Sequence, residues 1–386
     1  MVPLEIAFWA AVAVVGYTFL GYALVLALAG RIWRRPRRIG PVQTRVSIVI
    51  AVHNEEKTLG RRLEELTAML RACGGPGEII VVSDGSTDSS VEVARQFEDR
   101  GVRVVALAQN QGKAAALTLA LAESKHEIVV FADARQRWAD DALARLLENF
   151  ADPQVGAVSG DLVLEAAPGV MAGVGLYWRY EKWLRRAESR VSSQVGVTGA
   201  ISAARRELLP SAIPPGTLLD DVYWPLCIAM RGYRVVHDER ARAYDRLPEH
   251  PRDEFRRKVR TLAGNYQMLT LLPTSLLPWR NPVWLQWVSH KLLRLAVPWA
   301  LTVMFSCNVS LIPDVLYTGM FAAQIAGYGL ATLGLVPTLG RARLLAAGAS
   351  FLVLNAAAWL AFWVWISGQA RQSWRKVDYS DFSGPT

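Results

Sequence analysis

Residues 6–29 carry no charged side chain, and nothing else in the 386-residue chain constrains its folding as strongly. As a helix this run is long enough to cross roughly 30 Å of hydrocarbon. The basic cluster Arg31, Arg34, Arg35, Arg37 and Arg38 follows it directly. Because basic flanks are retained on the cytoplasmic side, this order predicts an anchor with its N-terminus outside. A cleavable signal would instead place its positive charge before a shorter apolar core and end at a small-residue site.

Three further apolar stretches, Leu292 to Ile312, Val315 to Val336 and Leu344 to Ile366, are separated by Pro313-Asp314 and by Gly340-Arg341-Ala342-Arg343. With the first run they predict about four transmembrane helices. Pro313-Asp314 then falls outside and Arg341 and Arg343 inside, as the positive-inside rule requires, whereas the tail with Arg371, Arg375 and Lys376 falls outside against it. Between Gln267 and His290 the chain is apolar but broken by Pro273, Pro278 and Pro282, and it carries Trp279, Trp284 and Trp287. That composition suits a segment lying at headgroup depth, with a proline-rich core loop as the alternative.

A 52% hydrophobic fraction with 20% charged residues and 14 Trp agrees with a membrane chain. The net charge of +9 sits in good part beside the first apolar run, where anionic lipid attracts it. No nucleic-acid recognition module accompanies the charge, so nucleic acid is not an expected partner. Cys73, Cys227 and Cys307 lack CxxC spacing and read as reduced packing residues.

Arg45 to Arg260 alternates β-branched runs with amphipathic ones. Val46–Val52, Glu78–Ser83, Val102–Leu107 and Glu127–Asp133 are strand-like; Glu55–Arg71, Ser89–Phe97, Lys113–Ala122 and Asp140–Phe150 have helical spacing. Such alternation predicts an α/β domain on a largely parallel sheet, with its crevice beyond the carboxyl ends of the strands. The expected order is a membrane helix over 1–30, a basic linker over 31–44, a cytoplasmic domain over 45–266, an interfacial segment over 267–290, three membrane helices over 291–367 and a tail over 368–386.

Three strand ends deliver polar groups to one rim: Ala51-Val52-His53-Asn54-Glu55-Glu56, Asp84-Gly85-Ser86-Thr87-Asp88 and Asp133-Ala134-Arg135. Taken singly, each has a plain structural alternative. Asn54-Glu55-Glu56 suits the first turn of a helix, and Ser86 or Asp88 suits a cap. Jointly they favour a nucleotide site. Asp220-Asp221 reads either as helix N-terminal charge or as a catalytic carboxylate pair. Tyr177-Trp178-Arg179-Tyr180-Glu181-Lys182-Trp183 sets aromatics at helical spacing, for sugar stacking or for packing at the interface.

With these motifs the chain resembles family 2 of the glycosyltransferases, specifically its membrane-bound processive members that make cellulose, chitin and hyaluronan. The resemblance covers Arg45 through about Gln267. It implies a GT-A-type, Rossmann-like domain with a mixed, mostly parallel sheet, and an inverting transfer from a nucleotide-sugar donor. Ala51, His53, Glu55 and Asp84 would contact the nucleoside, and Lys113, in Asn110-Gln111-Gly112-Lys113-Ala114, would lie near the nucleotide. Asp133 would hold Mg2+ or Mn2+. Arg135 stands where the family's Asp-x-Asp has its second Asp, so it either replaces part of the metal's charge or pairs with Asp140 or Asp141.

Asp221 matches the family's base, with Asp220 at the preceding acidic position on the acceptor side. Thr198 and Gly199 match the acceptor loop, followed by Arg205 and Arg206, and Trp178 is a candidate acceptor platform. Arg256-Arg257-Lys258-Val259-Arg260-Thr261 aligns with the family's Gln-x-x-Arg-Trp element, in which Arg260 would clamp the donor diphosphate. Arg257 replaces the glutamine and Thr261 the tryptophan, which removes the ring expected beneath the acceptor. Taken alone, this basic run reads as a lipid-facing patch.

The expected activity is transfer of a sugar, from a UDP-sugar, to a carbohydrate acceptor, giving a β-linked product at a multi-pass inner membrane with the domain in the cytoplasm. A single transfer to a polyprenyl-phosphate lipid is the nearby alternative. A nucleotide-binding membrane regulator without catalysis is the alternative of another class.

Overall fold

The computed structural model describes residues 2–74, 77–165, 172–246, 251–336, 338–339 and 342–368. The strands are β1 Val46–Val52, β2 Gly77–Asp84, β3 Val102–Leu107, β4 Ile128–Ala132, β5 Arg137–Trp138, β6 Val155–Glu165, β7 Ile201–Arg205 and β8 Arg234–Arg246. The main helices are α1 Val2–Ile32, α2 Glu56–Ala72, α3 Ser90–Arg95, α4 Lys113–Glu123, α5 Ala142–Leu147, α6 Ala172–Val191, α7 Asp220–Met230, α8 Pro251–Leu271, α9 Trp284–Ser310, α10 Val315–Leu333 and α11 Arg343–Ile366.

One eight-stranded sheet has the order β3-β2-β1-β4-β7-β6-β8-β5. The four strands that the β-branched runs predict are mutually parallel, with Val46 of β1 paired to Gly77 of β2 and to Ile128 of β4. The sheet then turns mixed, since β7 runs antiparallel to both β4 and β6 while β6 and β8 are parallel. Parallel pairing in the first half thus puts the carboxyl ends of β1, β2 and β4 on one rim.

Alternation in the central strands explains why both faces are apolar. Ile48 and Ile50 of β1 pack with Leu59, Leu63 and Leu66 of α2, whereas Val49 packs with Ala116, Leu117 and Ala120 of α4. Each fully buried Ile or Leu of this kind contributes about 1.5–3 kcal/mol of apolar transfer free energy. The second layer does not stop at the domain. Ala357 and Ala361 of α11 join the same cluster as Trp224, Ala263 and Trp287, and Tyr266 of α8 stacks on Trp365 with ring centroids 5.5 Å apart.

Among the described residues three helices, α1, α9 and α11, are long and apolar enough to cross a membrane. The predicted stretch Val315 to Val336 forms α10, which carries Gln324 and three glycines and is not one of those three. Residues 340–341 of the predicted inner loop, with Arg341, and the tail residues Arg371, Arg375 and Lys376 lie outside the described residues. The segment predicted to lie at headgroup depth divides: Trp279 is 76% exposed, but Trp287 is fully buried in the core cluster and already belongs to α9. The basic linker is also less free than its charge suggests. Arg234 donates to the Arg35 and Pro36 carbonyls, and Arg37 pairs with Asp238 at 3.5 Å.

Candidate active site

The rim above β1 and β2 is built by reciprocal bonds between two loops. Asn54 adopts a positive φ of 55°, tolerable for Asn. From there its Oδ1 accepts from the Thr87 backbone N–H at 2.8 Å, while its own N–H donates to Ser86 Oγ. The Glu56 N–H donates to Asp88, and Glu56 accepts from the Ser89 N–H. Gly85 has φ 62°, and a Cβ there would stand 2.4 Å from the Asn110 nitrogen, so the turn closes only around glycine. Glu56 thus opens α2 as a first-turn residue, and Asp88 accepts from the first N–H groups of α2 and α3, Glu56 and Ser90, alongside any ligand role.

His53 Nδ1 lies 2.7 Å from the Asp84 carbonyl, and Glu55 accepts from Thr58 Oγ1 at 3.0 Å. Asp84 takes a supporting place. Its buried carboxylate accepts from the Gln111 and Gly112 backbone N–H groups at 2.7 and 2.9 Å. Those bonds order the loop that starts α4, and so they aim Lys113. Ala51 lies part-buried near the end of β1.

Lys113 is the centre of the charged group. Its Nζ is 2.9 Å from Asp133 Oδ1 and 3.9 Å from Asp220 Oδ2. Burial pulls its pKa down, but Asp133 and Asp220 outweigh burial and leave the ammonium held above its ordinary value. Beside it, at the N-terminus of α7, Asp221 has its pKa raised to about 6 by burial first and then by the neighbouring charge of Asp220, against the pull of Lys113 and Arg185. A carboxylate so placed is ionised near neutrality yet basic enough to accept a proton.

Gly199 leaves the space between the base and the cation. A methyl there would sit 3.7 Å from Asp221 Oδ2 and 3.9 Å from Lys113 Nζ. The buried Thr198 donates its N–H to Ser159 Oγ and accepts from Arg185 at 3.3 Å. Trp178 donates to the Leu162 carbonyl, and the Arg185 guanidinium lies 5.7 Å from its ring centroid. Thr198, Gly199, Lys113, Asp133, Asp220 and Asp221 are thus brought together, with Trp178 one side chain away.

The α8 cations bond to groups other than these six residues. Arg257 pairs with Glu254 on its own helix at 2.7 Å. Arg260 donates to the Leu218 carbonyl at 3.4 Å, on the segment leading into Asp221, and has no ion pair among the described residues. Thr261, one residue on, lines a cavity with Asp221, Arg185 and Lys291.

Arg135 corrects an expectation: it pairs neither with Asp140 nor with Asp141 but with Asp245 of β8 at 2.7 Å, where Gln136 also donates. Its charge is thereby committed within the sheet, and Asp141 is taken by Arg145. Among the described residues no three His, Cys, Asp or Glu side chains converge on a metal site. Asp133 alone stands where a ligand diphosphate could complete the shell of a hard divalent ion, which accepts phosphate and water oxygens.

One positioning residue belongs to no motif. Arg62 of α2 is fully buried, lies 4.4 Å from the Trp138 ring centroid, and donates to the Asp133 carbonyl at 3.2 Å. Its only sequence signal is an arginine on the apolar face of a helix.

Residues 47–208 match Glycosyl transferase family 2. The poly-beta-1,6-N-acetyl-D-glucosamine synthase of Staphylococcus aureus (strain COL) is 23% identical over 230 residues, covering 58% of this chain and 55% of the relative. That of Staphylococcus epidermidis is 24% identical over the same shares. The chain therefore spans about half the length of the curated relatives it matches. Among solved structures, a mannosyltransferase from Pyrobaculum calidifontis, in complex with GDP-Man and Mn2+, has a TM-score of 0.66 and 24% identity, covering 92% of this chain and 99% of that one. That likeness establishes the GT-A fold.

Proposed function

We propose that this chain, which carries a glycosyl transferase family 2 domain and is a glycosyltransferase, moves a sugar with inversion from a nucleotide-sugar donor to an acceptor hydroxyl at a multi-pass inner membrane, the domain facing the cytoplasm. The observation that carries the reading is the grouping of Asp221, Gly199 and Lys113, which puts a base and a cation on two sides of one open space.

In that reading the donor nucleoside lies along Ala51, His53 and Glu55, and its diphosphate faces Lys113. Asp221 takes the acceptor hydroxyl proton as that oxygen attacks the anomeric carbon, and the bond to the diphosphate breaks on the opposite side. Lys113 stabilises the negative charge that grows on the leaving group, with Arg260 in support. A bound Mg2+ or Mn2+ would be held by Asp133 and would neutralise part of the diphosphate charge. Asp220 keeps Lys113 oriented and raises the basicity of its neighbour.

The relatives' names support a β-linked polysaccharide product, and the Pyrobaculum enzyme's ligand keeps GDP-mannose in play as donor beside a UDP-sugar. Thr261 favours a second reading, single transfer to a lipid-linked acceptor, because a threonine lines the cavity beside Asp221 where the family's motif has its tryptophan. Incubating the purified full chain with a panel of nucleotide sugars and Mg2+ or Mn2+, then weighing the products, tests both. Long products support the polymer, one added sugar supports the second reading, and no turnover of any donor sinks the enzyme assignment.

A further inference from the structure

We propose that Arg62 and Trp138, one lying over the other beneath the site, are positioning residues that fix the donor side of the crevice relative to the base side and so keep the transferred sugar from being lost to water. This rests on the glycosyltransferase reading and adds to it two buried residues that act through others.

The β4–β7 ladder ends at the pair Ala132–Ile201. The next residues outward are Asp133 on one chain segment and Ala200 on the other, and they serve different halves of the site. Asp133 carries the carboxylate that holds Lys113, and Ala200 follows Gly199, the residue that faces both Asp221 and Lys113. Beyond the ladder, the carbonyls of Asp133 and Ala200 take side-chain donors instead. Arg62 Nε donates to the first at 3.2 Å, and Trp138 Nε1 donates to the second at 3.0 Å. The guanidinium lies 4.4 Å from the indole centroid, so the two donors form one splint across the gap.

The splint is stiff because both side chains are buried, Arg62 fully and Trp138 with 2% exposed. Burial lowers the Arg62 pKa to about 10, against the pull of Glu65, so at neutral pH it remains a cation. Its Nη2 has no hydrogen-bond partner among the described residues, and the indole beneath the guanidinium offsets part of the lost hydration. Each residue is also anchored on a separate element. Arg62 belongs to α2, whose Leu59, Leu63 and Leu66 pack against β1, and Trp138 belongs to β5, paired with Ala243 of β8. An apolar pair of similar volume would fill this space without a buried charge. What Arg62 and Trp138 supply beyond packing is two directed N–H groups.

Transfer requires the anomeric carbon, set by the diphosphate on the side of Asp133 and Lys113, to meet an acceptor oxygen held beside Asp221. A misplacement of about 1 Å costs such a step roughly 100-fold. The turn that carries Gly199 is closed by the Ile201 N–H donating to the Thr198 carbonyl at 3.1 Å, and Trp138 holds it from below. Loosening it should slow attack by the acceptor more than attack by a small, mobile water. Water then takes the sugar: its oxygen bonds to the anomeric carbon, the bond to the diphosphate breaks, a proton leaves to solvent, and free sugar and nucleoside diphosphate are the products.

The ratio of donor hydrolysis to transfer, measured on the purified full chain in detergent with the nucleotide sugar it consumes, tests this, because a loss of folded protein scales both rates alike. The ratio should rise at least tenfold in Trp138→Phe, which keeps a ring under the guanidinium but loses the N–H, and in Arg62→Met, while UDP and GDP affinity stays within threefold. The double variant should match the worse single one, since either loss opens the same splint. Hydrogen exchange read by mass spectrometry tests the geometry without turnover. Both variants should speed exchange at least fivefold over residues 198–202, Arg62→Met acting through the indole, with β1 and β2 unchanged. A ratio within twofold of the parent in both variants, or exchange raised equally throughout the sheet, overturns the proposal and leaves the pair as packing. If the parent consumes no nucleotide sugar, the exchange result alone decides the splint, and the transferase reading is what falls.

Discussion

The ammonium of Lys113 lies 2.9 Å from the Asp133 carboxylate and 3.9 Å from that of Asp220, joining the end of β4 to the start of α7. A cation held between two carboxylates on separate elements assembles the rim, and in the proposed function it is the group that meets the donor diphosphate. Lys113→Met should therefore lower turnover by roughly 100-fold, the scale on which one charge-stabilising donor contributes. Steady-state kinetics with the preferred donor checks this; turnover within threefold of the parent would remove Lys113 from leaving-group stabilisation.

The acidity of Asp221 sets a pH profile. With its pKa raised to about 6, the base is ionised above that value and protonated below it. Transfer should fall as pH drops through about 6, with a slope of one proton, while nucleotide binding measured by fluorescence or calorimetry changes far less. A flat rate from pH 5 to 8 would contradict the base role.

The same shift has a stability consequence of opposite sign to that of a paired carboxylate. Asp221 holds its proton more tightly folded than unfolded, where it titrates near 3.8. Native stability owed to this group is therefore lost as pH rises from below 4 to above 6. Asp221→Asn should melt at a higher temperature than the parent at pH 8, and the gap should close below pH 4. Equal melting temperatures at pH 8 would argue that the carboxylate is not strained by its surroundings.

Divalent metal should matter to the donor more than to the fold. With Asp133 as the protein ligand and the diphosphate supplying others, chelation by EDTA should weaken donor binding at least tenfold, and Mn2+ or Mg2+ should restore it. Thermal melting without donor should move little. Donor affinity indifferent to EDTA would assign the diphosphate to Lys113 and Arg260 alone.

Gly85 offers a test of the rim's geometry. Gly85→Ala meets both a positive φ and a backbone contact at 2.4 Å, so it should cost more than about 1 kcal/mol and loosen the loop before Lys113. Denaturant unfolding reads the first effect and nucleotide affinity the second.

How much of this was legible depended on where each residue's partners lie. Val46–Val52 and Val102–Leu107 emerge from the sequence with the boundaries the structure gives, the first because a strand buried on both faces is a continuous apolar run, the second, a part-buried edge strand, by its three valines. β8, with its Arg234-Val235-Val236-His237-Asp238-Glu239-Arg240 opening, hid because its charges are satisfied by Asp161, Asn149, Glu148 and the basic linker rather than by water. In the site, Asp133, Lys113, Asp220 and Asp221 announced themselves as strand-end and helix-start motifs. Arg62 did not, since a lone polar residue on a helix acquires meaning only from the element packed across from it.

Transfer by Asp221→Asn, measured beside donor affinity in the same preparation, tests the central claim most directly. Transfer should fall by at least about 100-fold, the range that general base catalysis supplies, with nucleotide affinity within twofold of the parent. Turnover at the parent rate in that variant would contradict it.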